Sequence, residues 1–360
     1  MNAALPLVLD YPFPTPPPPG TTLEVAPGVR WLRMPLPFAL DHINLWLLEE
    51  ADGWTLVDCG IGTAATRDVW ELHFTHTLRD RPLKQIIVTH YHPDHIGNAQ
   101  WLSQRFGVPV RMTQSEFLAA HAVIDQRASY SLADMCSLFA AHGMPVGQVA
   151  EMGARGNQYK RGVPEIPAAF VRMLAGDVVT AAGREWQVAC GYGHSPEHAW
   201  LYAAEDGVAI SGDMLLPRIS TNVSVWPAER EGDPLGRFLA SLGAFAALPA
   251  ATLILPSHGL PFRGSAVRVE QLRAHHAARL AELEAALLAA TAPVSASSML
   301  PVLFRRELDV QQRFFAMGEA IAHLNHLWRN GRVGRTVTAD GVRFAAHCPT
   351  DATVGLSKHA

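Results

Sequence analysis

The chain has 360 residues, 49% hydrophobic and 17% charged, which is long enough for two or three domains and apolar enough to build a core. A formal net charge of −4 at pH 7 gives no global excess of cations to hold nucleic acid or an anionic membrane surface. No run reaches the roughly 20 apolar residues that a membrane helix needs, and the N-terminus lacks a basic leader region, so a cytoplasmic protein is expected.

Pro12, Pro14 and Pro16 to Pro19 make residues 1–22 a proline-rich arm, extended and lying on the surface. Short β-rich runs follow: TLEVAPGVRWLRM, HINLWLLEE and WTLVDCG, the last two joined by a turn at Ala51–Asp52–Gly53. A helix is expected from Thr63 to Arg79, a buried strand at QIIVTH (85–90), a helix from Asn98 to Phe106 and a strand at VPVRMT (108–113). This alternation is the rhythm of a layered α/β domain. Residues 115–175 break it with mostly helical periodicity and read as an inserted helical cap carrying a basic patch, ARGNQYKRG. Strands resume at DVVTAAGREWQVACGYG, AWLYAAEDGVAISGD and ATLILPSHG. From Gly264 the chain turns Ala/Leu-rich. One helix is expected over VEQLRAHHAARLAELEAALLAA and a second near SASSMLPVLF. A third carries Phe314, Met317, Ile321, Leu324 and Trp328 and stops at Asn330–Gly331. A hairpin turning at Asp340–Gly341 completes a winged-helix pattern. The expected domains are therefore 1–22, 23–264 with the cap at 115–175, 265–350, and a tail at 351–360. Cys59, Cys136, Cys190 and Cys348 form no CxxC pair and read as buried free thiols in a reducing compartment.

The stretch THYHPDHIGN concentrates His90, His92, Asp94 and His95 just after an apolar strand. Neutral imidazole and carboxylate suit borderline divalent metals, and alternate positions on one turn can feed two neighbouring ions. A solvated His-rich loop is the bland alternative, weakened by further ligand types where later apolar runs meet turns. These are His194 in GYGHSPEH, Asp213 in VAISGDML and His258 in ILPSHG, with Asp58 placed likewise in TLVDCG.

As a set, HxHxDH, GHS, SGD and SHG resemble the metallo-β-lactamase-fold hydrolases, over roughly residues 23–264. The resemblance implies an αββα sandwich with the site at one rim. By position it implies a first metal on His90, His92 and His194, and a second on Asp94, His95 and His258, with Asp213 bridging. Asp58 would order the loop without being a ligand. The chain departs from lactamases that put a Cys on the second metal, since Asp213 stands in that place, and from the flavin-linked di-iron branch, since His92 is kept. The binuclear branch of glyoxalase II, lactonases, thioesterases and RNA-processing nucleases fits best.

Two divalent ions about 3.5–4 Å apart can share a hydroxide, which then serves as the nucleophile. Zinc is the expected metal, with iron and manganese chemically admissible. Asp94 is a candidate to hold the nucleophile's proton. His198 is a candidate proton donor to the leaving group, because relatives with a winged-helix tail have a similar His, or else a support for the metal ligands. Tyr159 and Lys160, with Arg155 and Arg161, are candidates to grip an anionic handle such as a phosphate. Ser220, Asn222 and Trp226, with Thr221, are candidates to line a substrate pocket. The pairs His73/His76, His275/His276 and His323/His326 lack carboxylate or Cys companions nearby in sequence and read as surface or core histidines.

The tail resembles the winged-helix appendage of β-lactamase-like hydrolases, among which are both an endoribonuclease and thioesterases. Between Ser265 and Arg343 there are ten Arg and no Lys against seven Asp and Glu, a net of +3. A nucleic-acid reader usually shows a stronger basic face. The tail is therefore expected to close the substrate groove or to form a homodimer contact. The expected function is binuclear hydrolysis of a thioester or ester, with a small-molecule substrate and no membrane partner. Endoribonuclease, lactonase and sulfur dioxygenase activities are the alternatives, and a structural metal on a non-catalytic scaffold is the weakest.

Overall fold

The computed structural model describes residues 8–347. The proline-rich arm is irregular rather than laddered. It is tied by Asp10, whose N–H donates to the Arg263 carbonyl at 3.3 Å, and Leu9 and Pro17 are buried. Residues 1–7 and the expected tail at 351–360, like Cys348, lie outside the described residues.

Seven strands form the first sheet: β1 (Leu23–Ala26), β2 (Val29–Pro35), β3 (His42–Glu50), β4 (Gly53–Val57), β5 (Leu83–Ile87), β6 (Val110–Met112) and β7 (Val171–Arg172). They lie in chain order, antiparallel from β1 to β4 and parallel from β4 to β7. The second sheet contains β8 (Val178–Ala181), β9 (Arg184–Gly191), β10 (His198–Ala203), β11 (Val208–Gly212) and β12 (Leu253–Pro256). It is antiparallel except for the pair β11–β12. Alternate residues of each sheet meet in one core: Val29, Trp31, Trp46 and Leu48 from the first, Trp186, Val188, Leu201 and Ile210 from the second. Sheets packed on an apolar face in this way leave their strand ends as a rim where side chains can converge.

The helices are α1 (Ala64–Thr75), α2 (Pro93–Ile96), α3 (Ala99–Phe106), α4 (Gln114–Ile124), α5 (Leu132–Ala141), α6 (Val146–Ala154), α7 (Gln158–Gly162), α8 (Pro234–Ala246), α9 (Ser265–Ala289), α10 (Leu300–Leu303) and α11 (Val310–Arg329). Local chemistry sets their ends. The Thr63 hydroxyl accepts from the Thr66 N–H at the start of α1, Gly107 closes α3 at φ 65°, and Asp309 with Gln312 forms a capping box on α11. Three sequence expectations need correction. The helix expected near SASSMLPVLF shrinks to a 3₁₀ turn at Ser297–Met299 and the four-residue α10, because Pro301 has no N–H to extend a helix across that segment. Helix α8 is absent from the sequence expectations, although Leu235, Phe238, Leu242 and Phe245 recur at helical spacing and all are buried. Of the described thiols only Cys59 is buried; Cys136 and Cys190 are partly exposed.

The described chain divides into two compact units. Of the described residues, one comprises 8–131, 157–221 and 237–273, and the other 132–156, 222–236 and 274–347. The segment expected as a single cap, 115–175, is thus shared between them. In the second unit β13 (Val333–Thr338) and β14 (Gly341–Ala346) form the hairpin expected at Asp340–Gly341. Helix α11 is buried at ten of its 20 positions, Ala316, Met317, Gly318, Ala320, Ile321, Ala322, His323, Leu324, Asn325 and Leu327. His276 and His323 pair at 3.2 Å inside this unit. His326 does have a carboxylate companion, Asp233 at 3.0 Å, which 93 residues of separation hide from a sequence reading.

Candidate metal centre

All seven expected ligands, together with Asp58, converge at one rim of the sandwich, around the ends of strands. β4 delivers Asp58 and β5 delivers His90. β11 delivers Asp213 and β12 delivers His258, while His194 sits in the turn between β9 and β10. Strand β5 is shorter than QIIVTH suggests and stops at Ile87. Beyond it the chain leaves the ladder, and the Thr89 carbonyl accepts from the Ala199 N–H of the other sheet at 2.9 Å. Pro93 at the start of α2 then turns Asp94 and His95 back toward the same point.

Three overlapping triplets of donor atoms lie within 4.8 Å of one another: His90, His92 and His194; His90, His95 and Asp213; Asp94, His95 and His258. His90 Nε2 stands 2.9 Å from His92 Nδ1 and 3.2 Å from His194 Nε2. Asp213 faces both sides. Its Oδ1 is 3.4 Å from His258 Nε2 and 3.6 Å from His95 Nε2, and its Oδ2 is 3.5 Å from His194 Nε2. Asp94 Oδ2 lies 3.3 Å from His258 Nε2. The Asp94 side chain is 19% exposed and that of Asp213 10%, and His92 is also only partly buried, so the open side of the cluster is at His92 and Asp94.

The outer hydrogen bonds orient these rings. Asp58, in left-handed backbone at φ 63°, accepts from His95 Nδ1 at 2.8 Å and from the Thr89 N–H at 2.8 Å. His258 Nδ1 donates to the His42 carbonyl at 2.8 Å. Each Nε2 is thereby left facing the cluster, where a metal ion would take its lone pair in place of a proton. Among the described residues His95 Nε2 and Asp213 Oδ1 are buried and find no hydrogen bond, only the longer contacts given above. Buried polar atoms so poorly partnered are costly unless a ligand satisfies them, and an imidazole–carboxylate set fits a divalent ion.

Charge balance without an ion points the same way. Burial pushes the Asp94 carboxyl up, but His95 and His258 outweigh it and hold it down at about 2. Burial disfavours the protonated form of His258, yet Asp213 and Asp94 raise its pKa to about 10. In His92, burial and the neighbouring His194 lower the pKa to about 3.

Other expected site residues stand elsewhere. His198 is fully buried, with its ring stacked on His90 at 4.5 Å. Its Nε2 accepts from the Asp213 N–H at 3.1 Å and its Nδ1 is enclosed, so the geometry of a proton donor to a leaving group is missing. The Tyr159 hydroxyl is spent on the Tyr91 carbonyl at 2.6 Å, and Lys160 is exposed. Arg155 donates to Gln311 at 2.7 Å within the second unit. Ser220 is half-buried in the first unit. Asn222 and Trp226 belong to the second, where Asn222 Nδ2 donates to Glu319 at 3.4 Å and Trp226 meets Phe314 edge-on. Sequence reasoning misses Glu116, a fully buried carboxylate that accepts from Tyr91, Ser195 and Glu197. No local signal marks it, since its partners lie up to 81 residues away.

Residues 39–258 match the model of the metallo-beta-lactamase superfamily, and residues 280–347 match that of the metallo-beta-lactamase-like C-terminal domain. A beta-lactamase domain protein from Burkholderia ambifaria is 47% identical with a TM-score of 0.87, the match covering 94% of this chain and 98% of that one. A metallo-beta-lactamase family protein from Thermus thermophilus is 33% identical with a TM-score of 0.74, the match covering 90% of this chain and 100% of that one. A Bacillus subtilis protein named as a probable metallo-hydrolase is 24% identical over 82% of this chain and 91% of its own length. With this fold, this rim of ligands and these relatives, the chain belongs to the metallo-beta-lactamase superfamily, as a metallo-hydrolase that carries the family's C-terminal domain.

Proposed function

We propose that the enzyme is a binuclear hydrolase of thioesters or esters, with zinc as the resident metal. The observation that carries the binuclear reading is Asp213, whose Oδ1 faces His258 and His95 while its Oδ2 faces His194. A carboxylate shared in this way suits a bridging ligand between the triplet His90, His92, His194 and the triplet Asp94, His95, His258. Two divalent ions held there would lower the pKa of water and withdraw charge from a substrate carbonyl.

The chain's own groups supply the rest. Asp94, on the open side, is the candidate among them to hold the nucleophile's proton. His198 acts through its hydrogen bond to the Asp213 N–H and is a positioning residue. Tyr159 likewise serves the ligand loop. Ser220 and Lys160 remain candidate substrate contacts in the first unit.

An acyl substrate is favoured over RNA because the tail carries a net of only +3, short of the basic face that nucleic-acid readers show. The deciding experiment offers the purified protein acyl-CoA thioesters, simple acyl esters and single-stranded RNA, each with and without chelator, alongside elemental analysis. We expect chelator-sensitive acyl hydrolysis that His90→Ala abolishes. RNA cleavage lost in His90→Ala, with no acyl turnover, would replace this reading.

A further inference from the structure

We propose that Glu116 is a positioning residue that sets the span between the His90–His92 loop and His194, and so controls occupancy of that one triplet. This rests on the metal-centre reading above and adds a selectivity to it.

Glu116 lies in the first turn of α4 and is fully buried. Its Oε2 accepts from the Tyr91 N–H at 3.0 Å, and Tyr91 is the residue between His90 and His92. Its Oε1 accepts from the Ser195 hydroxyl and from the Glu197 N–H, both at 2.6 Å, and Ser195 directly follows His194. One carboxylate therefore joins the two stretches that carry all three imidazoles of the triplet. The same turn of helix grips the second stretch twice more. The Thr113 hydroxyl donates to the Glu197 carbonyl at 2.8 Å, and the Ser115 N–H donates to Glu197 Oε2 at 3.3 Å. The Tyr91 peptide is held from its other side by the Tyr159 hydroxyl. By contrast, His95 and His258 of the other triplet take their outer hydrogen bonds from Asp58 and the His42 carbonyl, and neither bond involves Glu116.

The chemistry requires a carboxylate here. Three donors meet two oxygens, and an ionised carboxylate is acceptor-only. An amide in its place keeps one oxygen. Either orientation sets its NH₂ against one backbone N–H, that of Tyr91 or that of Glu197, so one of the two stretches is released. Losing an outer hydrogen bond of a metal site typically costs about 10–100-fold in metal affinity.

The test titrates chelator-stripped protein with Zn²⁺ against a chromophoric competitor. Glu116→Gln is combined separately with His258→Ala, which leaves the imidazole triplet as the better site, and with His92→Ala, which leaves the Asp94 triplet. We expect Glu116→Gln to weaken Zn²⁺ binding about 10–100-fold in the His258→Ala background and less than about twofold in the His92→Ala background. Equal weakening in both backgrounds, or none in either, overturns the proposal. Should Glu116→Gln fail to fold, Ser195→Ala removes a single donor. A several-fold loss of affinity confined to the His258→Ala background then supports the proposal, and unchanged binding overturns it. If the unsubstituted protein takes up no Zn²⁺, the metal-centre reading fails as well, whereas two equivalents bound without selectivity sink only the role of Glu116.

Discussion

Asp58 makes clear how a residue that touches no substrate still sets the chemistry. Its backbone is left-handed at φ 63°, a conformation that Asp tolerates better than most residues, and this aims the carboxylate at His95 Nδ1 and Thr89. Asp58→Asn should weaken Zn²⁺ binding about 10–100-fold by loosening His95, read by competition titration. His258 sets the pH dependence. Its pKa without metal is raised from 6.5 to about 10. A raised folded pKa contributes stability that is complete below 6.5 and is lost as pH rises through about 10. The metal has to displace that proton. Zn²⁺ affinity should therefore climb between pH 6.5 and 10 with proton release, seen by calorimetry in buffers of different ionisation enthalpy. Asp94 runs the other way: its contribution is present above 3.8 and fades as pH falls through about 2. A metal-free protein whose stability was flat from pH 6.5 to 10 would contradict the assignment of His258.

At the scale of elements, α2 is held in place by a three-glycine crossing. The Gly62 N–H donates to the Gly162 carbonyl at 2.7 Å. A Cβ on Gly97 would stand 2.5 Å from the Gly162 carbonyl oxygen and 2.5 Å from the Gly62 nitrogen. Since Asp94 and His95 ride on α2, Gly97→Ala should cost about 1–3 kcal/mol through overpacking and also lower metal content, measured by thermal denaturation and elemental analysis. Gly147, in α6, has nothing within 4 Å of an added Cβ. Gly147→Ala should instead be neutral or stabilising by about 0.5–1 kcal/mol and leave metal content unchanged. Loss of metal from both variants would detach the effect from α2.

For the whole molecule, the ligands span positions 90 to 258 and come from both sheets. A cation bound only by the folded arrangement stabilises it by mass action, by about 4 kcal/mol at a thousandfold excess over Kd. Removing metal with a chelator should lower Tm by on the order of 5–10 °C, and adding Zn²⁺ should restore it. A Tm indifferent to chelation would speak against ligands drawn from both sheets.

By itself the amino-acid order determined the strand ends at which ligands had to sit, because an apolar run that meets His or Asp at a turn is a local pattern set by backbone periodicity. The layered fold, the hairpin at Asp340 and the stop at Asn330–Gly331 are legible for the same reason. Tertiary structure alone decided what those residues face. His198 and Tyr159 carry the residue types of a proton donor and a substrate contact. Packing spends them on the Asp213 N–H and the Tyr91 carbonyl. Glu116 carries no motif, yet it joins two loops whose histidines, His90 and His194, are 104 residues apart in sequence. Hydrogen bonds between distant segments follow from how the sheets and helices pack, and no spacing along the chain encodes them.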